Sequence, residues 1–472
     1  MDRVLDRQQT SAAATQAGAG RTATHAELLQ WVEAVAGGPV TSCHAIAGGN
    51  RCQSWAVDVA AAGGGVRELY LRYQPPRPPS AEPYTVWREA KIYAALLGTA
   101  VPAPRLIAVN PEVQAILTER APGSADYRRI ADERQRVSVI AGFIAGLAAL
   151  HRLPLKPDLI PGLTPNASIA DCVRRELDVW RAMYAEAGRA DPLIDLALDW
   201  LAGNVPDARG LPVLVHGDAG PGNFLFEDGR LTALLDWELA HAGDPMEDLA
   251  WFSMRAVMEP VPDFARAIRD YGQLMGAAAD VGRILYHRVF VSTRVVIIRH
   301  RNVTGLPGNS IVSRALNRRL LVDALAGATG VTLPAPLPVQ AQATAQTPLY
   351  DAALRDLRDD IAAASTDPRV VAAAKNTAKV MKYLREVDRF GAVIKAQELT
   401  ALEALLGHAP ASIAAGQAEL LRIMREDRLR FTAVLAFFAG STQREAVLAA
   451  SASGGLAGRS FPSLAGIHPS DV

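Results

Sequence analysis

Three oxygen-bearing side chains, Asp218, Asn223 and Asp236, have the types and the spacing that phosphoryl chemistry uses. Asp218 and Asn223 lie five residues apart in a segment rich in Gly and Pro. Asp228-Gly229 stands between two apolar runs, which predicts a hairpin that returns Asp236 to the same end of the sheet. Two carboxylates and an amide oxygen at one loop end form a hard oxygen site, which suits Mg²⁺ and is poor for Zn²⁺.

The protein kinases use the same residue types in the same order. A catalytic-loop Asp accepts the proton of the substrate hydroxyl, an Asn five residues later holds one Mg²⁺, and a second Asp beyond a hairpin holds the other. Asp218, Asn223 and Asp236 reproduce that order. Gly217 stands where the protein kinases have Arg, and Trp237-Glu238 stands where they have Phe-Gly. The competing interpretation is a surface hairpin with scattered acids, and the agreement of the whole pattern argues against it.

Three sequence blocks, HGDAGPGN, LLDWE and GDPMEDLA, resemble the aminoglycoside phosphotransferase and choline kinase branch of the kinase-like fold. The resemblance implies a catalytic base, two Mg²⁺ ligands and three supporting residues. These are, in that order, Asp218; Asn223 and Asp236; and His216, Asp244 and Asp248. By this resemblance His216 braces the catalytic loop, and the last two aspartates support the loop from the following segment.

The segment before these blocks is expected to bind ATP. Gly48, Gly49 and Asn50 lie between two strand-like runs, where a kinase-like N-lobe covers the ATP phosphates with backbone N–H groups. Alone, this tripeptide is weakly informative, since most such sequences are ordinary turns. The strand at residues 114–120, which contains Glu119, is expected to become the hinge whose backbone reads the adenine edge.

Arg72 stands where the family places its nucleotide-phosphate lysine, and no lysine precedes Lys91. Arginine can pair bidentately with phosphate oxygens, but it is longer than lysine and planar, so it is not a conservative replacement at this position. Glu89 lies on the next predicted helix and is expected to form an ion pair with Arg72 on the nucleotide side; a solvated helical glutamate is the alternative. Arginine at this position resembles the kinases associated with acyl-CoA dehydrogenases.

A chain of 472 residues is expected to contain two or three domains. The resemblance implies an α+β, bilobal protein-kinase-like fold with a β-rich N-lobe and a mostly helical C-lobe, and later helical periodicity predicts a separate all-α domain. The expected boundaries are a flexible arm at 1–24, the N-lobe at 25–122, the C-lobe at 123–325, a Pro/Ala-rich linker at 326–347, the helical domain at 348–450 and a flexible tail at 451–472.

Two features of the helical regions carry further expectations. His151 ends an apolar helix and is interpreted as structural rather than catalytic. Apolar stripes in the last domain predict separate helices, among them one at residues 370–387 and another at 393–406. This domain carries no constellation of catalytic residues, and it is expected to mediate self-association or contact with the kinase lobes.

The bulk composition narrows the class of partner. Lys plus Arg and Asp plus Glu each number 49, so the formal charge of zero gives no general attraction to nucleic acid or to an anionic membrane. No run reaches the ~18 apolar residues of a membrane helix, and the first residues lack the apolar core of a signal peptide. Three cysteines without metal-binding spacing fit a reducing compartment. We expect a cytoplasmic protein that binds neither nucleic acid nor membrane.

These patterns together predict an ATP- and Mg²⁺-dependent phosphotransferase that acts on the hydroxyl of a small molecule, with a 4-hydroxyacyl-CoA-like acceptor favoured. Residues 281–301 form a basic helix in the region that walls the acceptor pocket of this family. Its cations could meet an anionic substrate, although a solvated basic face is the preferred interpretation. One alternative is an aminoglycoside or other small-alcohol kinase. The other is a non-catalytic, pseudokinase-like module that binds nucleotide.

Overall fold

Two compact units make up the part of the chain that the structure describes. A computed structural model describes residues 20–46, 51–155, 160, 164, 166–301, 308–340, 342, 344–426 and 430–467. The first unit contains the described parts of Met1–Arg175, Asp207–Asp280 and Ser463–Val472. The second contains those of Glu176–Pro206 and Val281–Pro462. No described helix combines the length and the apolar character needed to cross a membrane.

An antiparallel five-stranded sheet opens the first unit. Its strands are β1 (Val40–Ala45), β2 (Gln53–Ala60), β3 (Val66–Tyr73), β4 (Leu106–Asn110) and β5 (Ala115–Glu119). They lie in the spatial order β1-β2-β3-β5-β4. Buried residues of β2, β3 and β5 form one apolar core with Leu28 and Val32 of helix α1 (His25–Ala36). The β-rich lobe that the sequence predicts is therefore present.

Alternation of side chains along β3 decides where Arg72 points. Leu69 and Leu71 are buried in the apolar core with α1, so Arg72 projects from the opposite face of the sheet. On that face it meets Glu89, which is 1% exposed on helix α2 (Val86–Leu96). The period of two along the strand thus brings a cation and a buried acid together.

The remaining elements are mostly helices. They are α3 (Glu133–His151), α4 (Ile169–Ala185), α5 (Pro192–Gly203), α6 (Pro245–Met258), α7 (Phe264–Met275), α8 (Val281–Arg301), α9 (Gly308–Thr329), α10 (Thr347–Arg355), α11 (Pro368–Leu406), α12 (Ile413–Glu426) and α13 (Phe431–Ser453). The short strands are β6 (Val213–Val215), β7 (Phe224–Glu227), β8 (Arg230–Leu234) and β9 (His241–Gly243). β6 pairs with β9, and β7 pairs with β8.

Helices form the described secondary structure of the second unit, which contains α4 from Glu176 onward, α5 and α8 to α13. A buried ion pair joins α11 to α13, with Arg444 Nε donating to Glu398 Oε2 at 2.7 Å. The Ser441 hydroxyl donates to the other oxygen of Glu398, also at 2.7 Å. Buried charges are tolerated only when they are paired and hydrogen-bonded. The two long helices must therefore align so that this pair stays intact.

The compact units follow different boundaries from those that the sequence predicts. Residues 176–206 and 281–325, expected in the C-lobe, lie in the same unit as the helices expected to form a separate domain. Packing between these segments gives the reason, since Arg318 of α9 forms an ion pair with Glu445 of α13 at 3.1 Å. Helix α9 also continues to Thr329, through the first residues of the expected linker.

Helix α11 replaces two predicted helices. The sequence predicts a break between residues 387 and 393, but Pro368–Leu406 is one helix of 39 residues. Gly391 lies inside it at a cost of about 1 kcal/mol relative to Ala, which packing along both halves offsets. Helix α13 likewise continues to Ser453, beyond the point where the tail is expected to begin. Strand β1, with the mixed sequence VTSCHA, lacks alternation and is not indicated by the sequence.

Replacing Leu71 by alanine is expected to lower the free energy of unfolding by about 2–5 kcal/mol, because this fully buried side chain would leave a cavity in the core shared with α1. Val66→Ala is the matched control on the same strand. Val66 is 60% exposed, so its truncation should change stability by less than about 0.5 kcal/mol. Urea denaturation followed by circular dichroism measures both values, and equal losses would contradict the assigned inner face of β3.

Candidate active site

The hairpin of β7 and β8 places Asp236 beside Asn223. The Leu235 N–H donates to the Asn223 carbonyl at 2.9 Å, so Asp236, the next residue, lies at the open end of the hairpin. Asp228 and Gly229 have φ values of 49° and 74°, the left-handed pair that suits a tight two-residue turn. The predicted hairpin is therefore present. It brings a side-chain amide and a carboxylate to one edge.

Asn223 also closes the loop that carries Asp218. Its Nδ2 group donates to the Asp218 carbonyl at 2.8 Å, and its backbone N–H donates to the Gly220 carbonyl at 3.0 Å. The amide nitrogen is committed to the loop, so the amide oxygen is the atom available to bind a cation. Gly217 has a φ of 80°, and a Cβ there would collide with the Leu239 carbonyl. This close approach explains why glycine follows His216.

Buried hydrogen bonds hold the same loop from behind. Asp248 accepts from the N–H of His216 at 2.7 Å and from the N–H of Gly217 at 2.9 Å. One of its oxygens also lies 2.9 Å from Nε2 of His151, whose Nδ1 contacts the Tyr271 hydroxyl at 2.7 Å. The expected contact of Asp248 with the loop is observed. His151, for which the sequence predicts a structural role, thus contacts Asp248 and helps to hold it in place.

The side chain of His216 faces the hairpin. Its Nε2 lies 2.8 Å from the Leu235 carbonyl, and its ring packs against Trp237 with 4.6 Å between the ring centroids. Asp244 caps α6 by accepting from the Met246 N–H at 2.9 Å. These are contacts that position the loop and the following helix.

Arg72 lies at the centre of a cluster of acids. Its Nε lies 3.2 Å from Glu89 Oε2, so the Glu89–Arg72 ion pair that the sequence predicts is present. Its Nη1 lies 3.0 Å from Asp236 Oδ1, and its Nη2 lies 2.7 Å from Glu238 Oε2. Glu238 also pairs with Arg51 at 2.6 Å. One guanidinium group therefore joins three carboxylates.

Burial and the neighbouring opposite charges shift the pKa values of Glu89 and Arg72 in opposite directions. Burial raises the pKa of Glu89 to about 7, although the Arg72 guanidinium opposes the rise. Burial and the neighbouring Asp236 raise the pKa of Glu238. Burial disfavours the charge on Arg72, but the carboxylates of Glu89 and Asp236 raise its pKa well above the ordinary value. Arg72 therefore keeps its charge.

The donor atoms at this edge fit a hard divalent cation. Asn223 offers an amide oxygen, and Asp236, with 35% of its side chain exposed, has one carboxylate oxygen outside its ion pair with Arg72. The adjoining cluster contains four carboxylates and two guanidinium groups, namely Glu82, Glu89, Asp236 and Glu238 with Arg51 and Arg72. A cation would meet an excess of negative charge. Among the described residues no three His, Cys, Asp or Glu are grouped to hold a metal.

Arg255 is a contact that the sequence motifs do not indicate. Its Nε donates to Asp218 Oδ1 at 2.8 Å and its Nη2 donates to Oδ2, which makes a bidentate pair. Burial disfavours its charge, but the Asp218 carboxylate raises the pKa of Arg255. A Cβ on Gly220 would lie 2.7 Å from Arg255 Cβ, so glycine provides the space. Arg255 follows Asp248 by seven residues on α6, and this shared helix face is the signal that could have found it.

The remaining predicted nucleotide contacts lie at or beyond the edge of what is described. Glu119 ends β5, and its carboxylate accepts from Arg105 Nε at 3.0 Å while 47% of its side chain is exposed. Gly48, Gly49 and Asn50 lie outside the described residues. Contact of these four residues with a nucleotide stays a prediction.

Comparison with protein families identifies the class of the chain. A family model described as the phosphotransferase enzyme family matches residues 42–283. The match covers more than half of the 472 residues and includes both the Arg72 cluster and the loop of Asp218. The chain belongs to the phosphotransferase enzyme family. The family resemblance drawn from the three sequence blocks is thereby confirmed.

Curated relatives of this phosphotransferase are larger proteins. Acyl-CoA dehydrogenase family member 11 of Homo sapiens is 28% identical over 201 residues, which cover 40% of this chain and 25% of that protein. Acyl-CoA dehydrogenase family member 10 of Mus musculus is 25% identical over 216 residues, which cover 43% of this chain and 20% of that protein. The matched segment thus spans a quarter or less of the length of these relatives.

Solved structures also resemble this phosphotransferase. A thermostable mutant of aminoglycoside phosphotransferase APH(4)-Ia, in a ternary complex with ADP and hygromycin B, is 16% identical with a TM-score of 0.48. The alignment covers 65% of this chain and 100% of that chain. The streptomycin-ATP-APH(2")-IIa ternary complex is 14% identical with a TM-score of 0.42, and the alignment covers 59% of this chain and 94% of that chain.

Glu89→Gln is expected to flatten the pH dependence of stability. The pKa of Glu89 is raised from 4.5 to about 7 in the folded protein, so its stabilising contribution is complete below about pH 4.5 and is lost as the pH rises through about 7. Between these limits the unfolding free energy of the parent should fall by about 3 kcal/mol more than that of the variant.

Urea titrations at several pH values measure this difference. Glu133→Gln, at an exposed position in the first turn of α3, is the control and should keep the full pH dependence of the parent. If Glu89→Gln and the parent show parallel curves, the buried carboxyl does not titrate as proposed.

Proposed function

We propose that this phosphotransferase transfers the γ-phosphoryl group of ATP to the hydroxyl of a small molecule, with Mg²⁺ as the metal. One observation carries the proposal, namely the hydrogen bonds that bring the end of the hairpin at Asp236 beside Asn223 and the loop of Asp218. Phosphoryl transfer depends on positioning and charge neutralisation rather than on covalent catalysis. Three fixed oxygen-bearing side chains therefore supply much of what the protein must contribute.

Each side chain has a role that its contacts support. Asp218 accepts the proton of the acceptor hydroxyl while that oxygen bonds to the γ-phosphorus; the bond to the β–γ bridging oxygen breaks, and ADP leaves with that electron pair. Asn223 and Asp236 would hold Mg²⁺, which when bound would neutralise phosphate charge. Arg72 holds the nucleotide phosphates. Since each of its three nitrogens already meets a carboxylate, two of its five N–H groups at most remain for phosphate oxygens.

Arg255 is a positioning residue for Asp218. Its bidentate pair fixes the plane of the carboxylate. An ionised carboxylate offers about four lone-pair sites, so the two hydrogen bonds from Arg255 leave sites for the acceptor hydroxyl. The arginine holds the base in one orientation without occupying all of its accepting capacity.

The acceptor we propose is an anionic hydroxy compound of the 4-hydroxyacyl-CoA type. The Arg255–Asp218 pair neutralises the acid next to the reacting hydroxyl, whereas a polycationic aminoglycoside is better held by unpaired acids. The curated relatives carry acyl-CoA dehydrogenase names, so a segment similar to this chain occurs in proteins named for acyl-CoA chemistry. Both observations favour an acyl-CoA acceptor over an amino sugar.

A mass-shift screen with Mg²⁺ and ATP tests the acceptor class. 4-Hydroxyacyl-CoA thioesters are compared with aminoglycosides and choline, and a gain of one phosphoryl group is expected on the thioesters alone. Phosphorylation of amino sugars alone would overturn the choice of acceptor. Binding of ATP without phosphorylation of any acceptor would favour a nucleotide-binding module without turnover.

Asp218→Ala is expected to lower kcat by ~10²–10⁴-fold, because general-base catalysis is lost. Asp236→Ala should lower kcat further, because the metal that neutralises the phosphates loses a ligand. Asp207→Ala, at an exposed position of the first unit, is the control and should keep normal turnover. Steady-state assays of ADP release with the accepted substrate measure kcat. Near-normal turnover of folded Asp218→Ala and Asp236→Ala proteins would overturn the proposed roles.

Arg255→Gln is expected to lower kcat by about 10–100-fold, the loss that corresponds to a charge-assisted bidentate contact. Arg255→Lys should fall between the parent and Arg255→Gln, since an ammonium cannot pair through two parallel N–H bonds. The KM for ATP should change less than kcat, because Arg255 contacts Asp218. Arg266→Gln, an exposed arginine of α7, is the control. Partial rescue of Arg255→Gln by millimolar guanidinium is expected, and equal activities of all variants would contradict the positioning role.

A further inference from the structure

A cavity in the second unit collects polar side chains from α8, α9 and the start of α5. The space it encloses is small, about 10 Å³, and it opens to solvent at Arg314, which is exposed. Its polar lining consists of Asp191, Arg299, His300, Arg314, Asn317 and Arg318. The residues of the candidate active site all belong to the first unit. None of the side chains that line the cavity is therefore among the residues of that site.

Arg318 is the structural cation of this cavity. It is 6% exposed, and its Nη1 pairs with Asp191 Oδ2 while its Nε lies 3.1 Å from Glu445 Oε2. Burial disfavours ionisation of Asp191, but the Arg318 guanidinium lowers its pKa. The charge of Arg318 is thus matched by two carboxylates that fix it in place.

Arg299 and Arg314 differ from this pattern. Within the described part of the chain, neither has a hydrogen bond or an ion pair. Three other arginines of α8 are engaged: Arg288 with the Pro462 carbonyl at 2.8 Å, Arg294 with the Phe290 ring at 4.0 Å and Arg301 with Glu186 at 2.9 Å. These arginines of the basic helix therefore have partners in their own surroundings. Arg299 is the cation of this helix that faces the cavity without a counter-charge.

The two guanidinium groups face one concave space from two helices. Like charges that line one space repel each other, and an anion between them would reduce the repulsion. Burial lowers the pKa of His300, and the cations of Arg189 and Arg314 lower it further. Asn317, which is 9% exposed, adds an amide group to the lining.

We propose that the open mouth of this cavity binds the phosphate monoester group of a small molecule, held between Arg299 and Arg314 with the Asn317 amide as a further donor. A phosphate monoester carries a charge of about −1.5 to −2 near pH 7 and presents three terminal oxygens. Two guanidinium groups match that charge, and arginine pairs bidentately with phosphate. A carboxylate brings one charge and two oxygens, and so would leave the second arginine uncompensated.

Calorimetric titration of the full chain with inorganic phosphate tests the site, at constant ionic strength with chloride as the balancing anion. Saturable binding is expected, and Arg299→Gln and Arg314→Gln should each raise the dissociation constant at least about 10-fold. Arg369→Gln, an exposed arginine at the start of α11, removes one positive charge of the same unit and should leave the constant unchanged. Circular dichroism verifies that each variant is folded.

Phosphate could also bind on the nucleotide side of the first unit, so the titration includes Arg72→Gln. The cavity is supported when binding survives in Arg72→Gln and in Arg369→Gln but is weakened in Arg299→Gln and Arg314→Gln. Absence of saturable binding, loss in Arg72→Gln alone, or equal weakening in all four variants would overturn the proposal. None of these outcomes depends on phosphotransferase activity, so failure of the proposed function would not decide this test.

Discussion

The contact of Arg72 with three carboxylates is the constraint on which the candidate active site depends. Its partners come from different parts of the chain: Glu89 from α2, and Asp236 and Glu238 from the segment after β8. Loss of the guanidinium would leave buried acids uncompensated, and breaking a buried pair in this way typically costs about 3–5 kcal/mol. The guanidinium group that would meet phosphate therefore also fixes the positions of β3, α2 and the end of the hairpin relative to one another.

Arginine in place of the family lysine is consistent with this arrangement. An ammonium is a compact point charge, whereas a planar guanidinium presents three nitrogens in a fixed fork. Each nitrogen of Arg72 meets a different carboxylate, and Glu238 stands where the protein kinases have Gly. The extra acid and the larger cation thus form one interaction. Arg255 uses the same planar geometry, because its Nε and Nη2 each donate to one carboxylate oxygen of Asp218.

Support from buried polar groups explains why the loop of Asp218 can hold its shape. Asp248 accepts two backbone N–H groups of the loop and is itself held by His151. Satisfied networks of this kind are rigid, because every group would lose a partner if the loop moved. In the second unit the Glu398–Arg444 and Arg318–Glu445 pairs have a similar role between helices.

The sequence by itself determined the features that depend on local geometry. Asp228-Gly229 specifies a tight turn, so the hairpin and the approach of Asp236 to Asn223 follow from neighbouring residues. Apolar patterning likewise located strands β2 to β5, and the family resemblance supplied the Glu89–Arg72 pair. Tertiary structure decided the Arg255–Asp218 pair, the second and third carboxylates around Arg72, the continuous α11 and the extent of the compact units. These depend on which helix faces meet, and contacts between distant segments leave no spacing signal in a single sequence.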